Sequence, residues 1–375
     1  MGRSAGREPG SIPLKPASSP LRADAPATES IVAGFETAWA GDPACRTVHR
    51  YRLAGHRVAL RIAGRELARR LTRPLSQLAA DDDPSDPAEL TIDLWDGLET
   101  GVPCPLLNLR DAFYRTWPFG RHVLASSRDE TTFGYQTHQA LTLLDRTGSR
   151  IVGHVTSPDR LSLYELGKPL QPLLFAWLSD RDIVPVHAGL VSRDGVGILL
   201  GGAGGSGKTT TSLLCARSGF DYLGDDYIAL PAADDDGYRA YGLYNSTWLE
   251  PDHARRFPWL VERLIPGDAT EDKWLVILGD VGGVGLAADT RVGALALPRV
   301  AGTRETTWEP ASRAEALRRL APSSILQLPF ISPRPALGRM AELAQTVPVY
   351  RLELGTQLDR IPERIAELLR EAAAG

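Results

Sequence analysis

Apolar positions repeat on one period up to about residue 182 and on two periods beyond it. In the first stretch Val58, Leu60 and Ile62 share one parity, as do Leu90, Ile92 and Leu94. That spacing predicts half-buried strands over 57–62 and 90–95, and similar runs predict two more over 122–125 and 149–155. The acidic, proline-containing stretch 80–87 predicts a solvated loop. Leu170, Leu173, Leu174 and Leu178 place an apolar face on a helix over 170–178, with Pro169 and Pro172 confined to its first turn or before it. Residues 1–29, rich in Pro, Ser, Ala and Gly and without periodic apolar positions, predict a disordered tail. The expectation is a mainly β, α+β domain over 30–182.

From 183 onward strands and helices mix. Apolar runs predict strands over 184–191, 196–200, 227–230, 241–244, 274–278, 292–297 and 347–352. Helical periodicity covers 312–320, 335–346 and 358–374. In the last, Ile361, Ile365, Leu368 and Leu369 line one side, which suits docking on a sheet. This predicts a second, α/β domain over 183–375.

Composition narrows the partners. The 375 residues are 43% hydrophobic and 23% charged, with a net charge of −4. That balance disfavours a broadly basic nucleic-acid-binding surface. No apolar run approaches the roughly 20 residues that span a bilayer, and the N-terminus has no signal-peptide core. Cys45, Cys104 and Cys215 are odd in number and far apart, which predicts neither a disulfide framework nor a zinc site and fits a reducing cytoplasm.

The chemistry concentrates between the two periods. Gly202, Ala203, Gly204, Gly205, Ser206, Gly207, Lys208 and Thr209 fit the phosphate-loop pattern G-x-x-x-x-G-K-[ST]. The apolar run 196–200 before it reads as a buried strand. Residues 210–217 after it read as a helix that stops near Gly219. In that setting the glycines aim backbone N–H groups at phosphate oxygens. Lys208 reaches the β- and γ-phosphates, Thr209 ligates Mg²⁺, and Thr210 lies in the helix turn facing the anion. Asp225 and Asp226 follow at the end of the next short strand. Adjacent strand residues face opposite ways, so one carboxylate can hold Mg²⁺ while the other meets an acceptor hydroxyl. His187, in the apolar run before the loop strand, can hydrogen-bond one of them. The remaining histidines (His49, His56, His122, His138, His154, His253) show no metal spacing and read as structural. There is no Asn-Lys-x-Asp for guanine, no ABC-transporter signature and no common distal Walker B run.

A strand histidine, a phosphate loop and a near Asp-Asp pair together resemble HPr kinase/phosphorylase and its relatives, which share the fold of the phosphoenolpyruvate carboxykinases. The resemblance covers roughly 184–330. It implies an ATP site at 202–210, Asp225 as catalytic base, Asp226 with Thr209 as the Mg²⁺ site, and His187 as support for the base. Segments 178–188, 222–227, 297–300 and 321–324 are most similar to divergent HPr kinase-related proteins. Some of those accompany lasso-peptide biosynthesis and phosphorylate a serine of the precursor peptide. The glycine-rich loop of the reverse, phosphorolytic reaction has no match. Glu250, Lys273 and Arg299 are further candidates, for a second metal contact, a phosphate contact and a clamp on the transferred phosphoryl group. The reading is a cytoplasmic ATP- and Mg²⁺-dependent kinase acting on a hydroxyl, a serine of a peptide or small protein, without nucleic-acid or membrane partners. The N-terminal domain would help present the substrate, and a homo-oligomeric state is left open. A small-metabolite kinase, a bifunctional kinase/phosphorylase and a non-catalytic nucleotide-binding regulator remain as alternatives.

Overall fold

The alternating segments pair into two large sheets in the computed structural model, which describes residues 24–83, 85–105, 109–119, 122–267, 272–325 and 332–374. The first sheet contains β1 (Arg46–Leu53), β2 (His56–Ala63), β3 (Leu90–Asp96), β4 (Arg115–Phe119), β5 (His122–Ser126), β6 (Thr132–Gln136), β7 (Ala140–Asp145) and β8 (Arg150–Val155). Their spatial order is β1-β2-β3-β8-β7-β6-β5-β4. β3 runs parallel to both neighbours, and the other pairs are antiparallel.

Both faces of this sheet are covered, which the alternation alone did not reveal. Ile62, Leu94 and Ile151 join one buried cluster; their neighbours Ala63, Trp95 and Val152 join another. The second face is covered by a helix over Asp24–Ala40, which buries Ile31, Phe35 and Ala38. This helix starts inside the stretch expected to be a tail. Its apolar stripe is short, and Pro26 falls in its first turn, where a missing N–H is tolerated. The rest of that expected tail, 1–23, lies outside the described residues.

The second sheet contains β9 (Val184–Arg193), β10 (Val196–Gly201), β11 (Asp221–Gly224), β12 (Tyr227–Leu230) and β13 (Arg239–Gly242). After the separate hairpin-like pair β14 (Ser246–Leu249) and β15 (Trp274–Ile277) come β16 (Gly285–Leu286), β17 (Asp289–Val300), β18 (Thr307–Pro310) and β19 (Val349–Leu354). β9 pairs with β12, β12 with β13, β13 with β17, β17 with β10, and β10 with β9, which closes a five-strand circuit. Helices Lys208–Arg217 and Ile361–Ala374 lie on one side, and Arg313–Ile325 and Pro333–Thr346 on the other. The strand expected over 241–244 runs earlier, over Arg239–Gly242.

The boundary expected at 182/183 marks a change of sheet within a shared core. The largest cluster runs from Tyr51 and Trp177 through to Tyr227, Tyr244 and Ile277. Buried Asn245 donates to Arg73 O, Ser76 Oγ and Gln77 Oε1 at 3.1, 2.8 and 2.9 Å, and Arg73 pairs with Asp280.

Asp93, fully buried in the middle of the first sheet, ties its layers together. It accepts from Arg61 of β2 at 2.6 Å and from Arg150 of β8 at 2.7 Å. Glu36 of the first helix pairs with Arg150 at 3.1 Å. Removing the buried carboxylate takes the main partner from two largely desolvated guanidinium groups, for which the exposed Glu36 is a poor substitute. Asp93→Ala should therefore lower the unfolding free energy by about 3 kcal/mol in urea titrations; a change below about 0.5 kcal/mol would contradict this account.

Candidate functional site

Strand β9 places the three sequence motifs side by side. Its second half pairs with β10, which runs into the glycine loop and the helix Lys208–Arg217. On its other edge β9 pairs with β11 and then β12. Asp225 and Asp226 are the link between those two strands, just past a register shift at Leu223. The Ala188 N–H donates to Asp226 O at 3.1 Å, so the link stays bonded to β9. The His187 N–H donates instead to Ser324 Oγ at 3.1 Å, which anchors this point of the strand to the helix Arg313–Ile325.

The loop has the conformation its glycines allow. Gly205 and Gly207 have φ of 77° and 101°, and a Cβ on Gly207 would stand 2.3 Å from Leu354 Cδ1. Lys208 is buried and folds back on the loop, donating to Gly202 O at 2.7 Å and Ala203 O at 3.1 Å. Burial pushes its ammonium below the ordinary lysine range; the Asp225 charge opposes this and Lys273 adds to it.

The two carboxylates have different partners. Asp225 is 5% exposed and accepts from Tyr222 OH at 3.0 Å and Thr247 Oγ1 at 2.6 Å. Asp226 accepts from His187 Nε2 at 3.0 Å and pairs with Lys168 Nζ. The support expected for Asp225 is therefore directed at Asp226: β9 and β12 set His187 opposite Tyr227, beside Asp226. Burial first, and then the ammonium groups of Lys208, Lys168 and Lys273, push the His187 imidazole down to about 4. The direct contact with Asp226 opposes this and favours the charged form.

Lys168 was missed by the sequence reading. It follows the short helix Leu163–Gly167 of the first half, is 8% exposed, and lies over Trp248, Tyr227 and Tyr164 at 4.2, 5.6 and 5.9 Å from the ring centres. Burial lowers its ammonium to about 7, against the pull of Asp225 and with a push from Lys273. The direct pair with Asp226 also favours the charged form. One signal in the sequence pointed to it. The chain has four lysines among 42 basic residues, and Lys168, Lys208 and Lys273 all line this one cleft. Where arginine serves almost everywhere, a lysine marks a place that takes a compact ammonium.

The cleft holds about 650 Å³ and is walled by the loop 204–210, both aspartates, His187, Trp248, Glu250 and His253. Glu250 and Lys273 reach it from exposed positions. Arg299, expected as a phosphate clamp, does not line it. That side chain pairs across β17 and β19 with Glu353 at 2.9 Å. His253, read as structural, sits in the cleft wall with Nε2 2.8 Å from Thr210 Oγ1. Asp226, Thr209 and Glu250 present hard oxygen donors of the kind that share Mg²⁺ with water and phosphates. The Lys168 ammonium already sits against Asp226, so this carboxylate is a cation position in its own right. No family model matches this chain, and no curated protein matches it.

Two loop glycines separate conformational need from simple proximity. Gly207→Ala should cost about 1–2 kcal/mol in thermal unfolding, because an L-residue is strained at that φ. Gly204→Ala, with open space around its Cβ position, should change stability by less than about 0.5 kcal/mol. Equal effects at both positions would contradict the loop geometry.

Proposed function

We propose that this protein is a Mg²⁺-dependent phosphotransferase of the HPr kinase type, with a phosphoenolpyruvate carboxykinase-like C-terminal half. It would move the γ-phosphoryl group of ATP to a hydroxyl, a serine of a peptide or small protein such as a lasso-peptide precursor. The observation that carries the reading is the meeting in one cleft of the glycine loop with Lys208 and of the Asp225–Asp226 pair with His187. A loop that cradles phosphates needs only an oriented base and a cation site beside it to transfer one.

In this reading the loop N–H groups and the positive end of the helix Lys208–Arg217 hold the polyphosphate. Lys208 leaves the Gly202 and Ala203 carbonyls for the β- and γ-phosphates. Thr209 and Asp226 would hold Mg²⁺, which would supply charge neutralisation for the phosphates. His187 fixes the orientation of Asp226, and Lys168 yields or shares its place there. Asp225 accepts from two neutral hydroxyls and, among the described residues, forms no ion pair, which leaves its carboxylate to meet an incoming proton. It takes the proton of the acceptor hydroxyl as that oxygen bonds to the γ-phosphorus and the bond to the bridging oxygen of ADP breaks. The three cysteines are free, in keeping with a cytoplasmic setting. Among the described residues no helix is long and apolar enough to cross a membrane.

Incubation with γ-labelled ATP, Mg²⁺ and serine-containing peptides should transfer label to peptide. Lys208→Ala should lose nucleotide binding. Asp225→Asn should keep nucleotide binding and lose about 10²–10⁴-fold in transfer rate. A wild-type protein that binds no nucleotide rejects the proposal, and full transfer by Asp225→Asn rejects that residue as the base.

A further inference from the structure

His253 is half-buried in the wall of the cleft, with a ring nitrogen set against the phosphate-loop helix. Its Nε2 lies 2.8 Å from the hydroxyl of Thr210, the third residue of that helix. Packing enforces the contact. Ala254, Phe257 and Leu260 share a buried cluster with Leu213 and Ala216 of the same helix. Leu213 stands three residues beyond Thr210, on the same helix face. Seating the segment after β14 on that face therefore brings the imidazole over Thr210. The turn is closed from behind: the Ala254 N–H donates to Glu250 O at 2.9 Å and the Arg256 N–H to His253 O at 3.0 Å. The ring meets Phe257 edge-on at 5.4 Å.

The contact between Thr210 and His253 can run in either direction. With Nε2 bare, Thr210 donates to it and turns only lone pairs toward the cleft. With Nε2 protonated, the histidine donates, and the hydroxyl hydrogen is free to point at an anion. Phosphate oxygens at the helix terminus accept and do not donate, so they select the second arrangement. Burial, followed by Arg256, lowers the imidazole below its ordinary range, with Glu250 opposing, Lys273 adding to the lowering and Asp225 opposing.

We propose that His253 is a positioning residue for the polyphosphate: its Nε2–H fixes the Thr210 hydroxyl so that Thr210 donates to a phosphate oxygen of the bound nucleotide. The assignment rests on the nucleotide reading of the cleft. His253 acts through Thr210 and touches no reacting atom. It takes part in holding any polyphosphate ester, whatever the acceptor.

The test is a double-mutant cycle on MgADP binding, measured by calorimetry with the full chain. His253→Ala and Thr210→Val should each weaken binding about tenfold, the worth of one hydrogen bond to a charged group. The double variant should lose no more than either single variant, because both remove the same contact. His253→Gln, whose amide can donate, should recover part of the loss. Thermal unfolding without ligand, run in parallel, identifies a merely structural histidine: stability would fall while the folded protein bound MgADP like the wild type. That result, or fully additive losses in the cycle, overturns the proposal. Wild-type protein that fails to bind MgADP overturns the nucleotide reading and this assignment with it; wild-type binding with unchanged affinity in His253→Ala overturns this assignment alone.

Discussion

Strand β9 is hydrogen-bonded along both edges, and the cleft depends on that double pairing. One edge fixes the strand that feeds the glycine loop, and the other fixes the segment carrying Asp225 and Asp226. Neither neighbour could place its chemistry alone. A loop positions phosphates only if its strand is immobile, and an acidic pair is useful only at a set distance from them. Over its second half β9 is thus an interior strand, paired with β10 on one edge and β11 on the other, where slipping is resisted.

Burying this much charge is costly, and the way it is offset shapes the site. Lys168, Lys208 and His187 are all depressed by desolvation, yet each has a specific acceptor: a carboxylate, two loop carbonyls, and the other oxygen of the same carboxylate. A buried ion stays charged only beside such partners. Lys168 comes from the first half of the chain. Its approach is possible because residue 167 is glycine: a Cβ there would stand 2.5 Å from the Trp248 ring. The hydroxyl of Ser246 donates to Gly167 O at 2.5 Å and pins the same point. The first half of the chain therefore supplies one of the charges beside the second sheet.

Legibility followed the range of the interactions involved. The conformation of the glycine loop was readable because it is set locally: glycines for φ, a strand before, a helix after. The Asp225–Asp226 pair was readable because one helix and one short strand set its distance from the loop. Which carboxylate His187 would face was not readable, since it depends on a register shift at Leu223. The helix over Asp24–Ala40 was hidden by a composition that resembles a tail and by a stripe of only three buried residues. Arg299 lies outside the cleft and His253 in its wall for one reason. A charged or polar side chain is claimed by its nearest partner in space, Glu353 across a parallel pair in one case and Thr210 in the other. Neither partner is near in sequence.

The polar groups of the cleft are committed to one another: Lys208 to its loop carbonyls, Lys168 to Asp226, Thr210 to His253. Binding an anion there exchanges hydrogen bonds rather than adding them, so each contact contributes the small net value of an exchange. The favourable balance must come from groups whose present partners are weaker than a phosphate oxygen. Lys208 is the clearest case, since its ammonium now rests on neutral carbonyls and a phosphate offers a full charge in the same desolvated place. Asp226 is the opposite case: it already holds the Lys168 ammonium, so a cation entering there has to displace or share with it. On the proposed reading, these pairings would favour a metal-bound polyphosphate over either component alone.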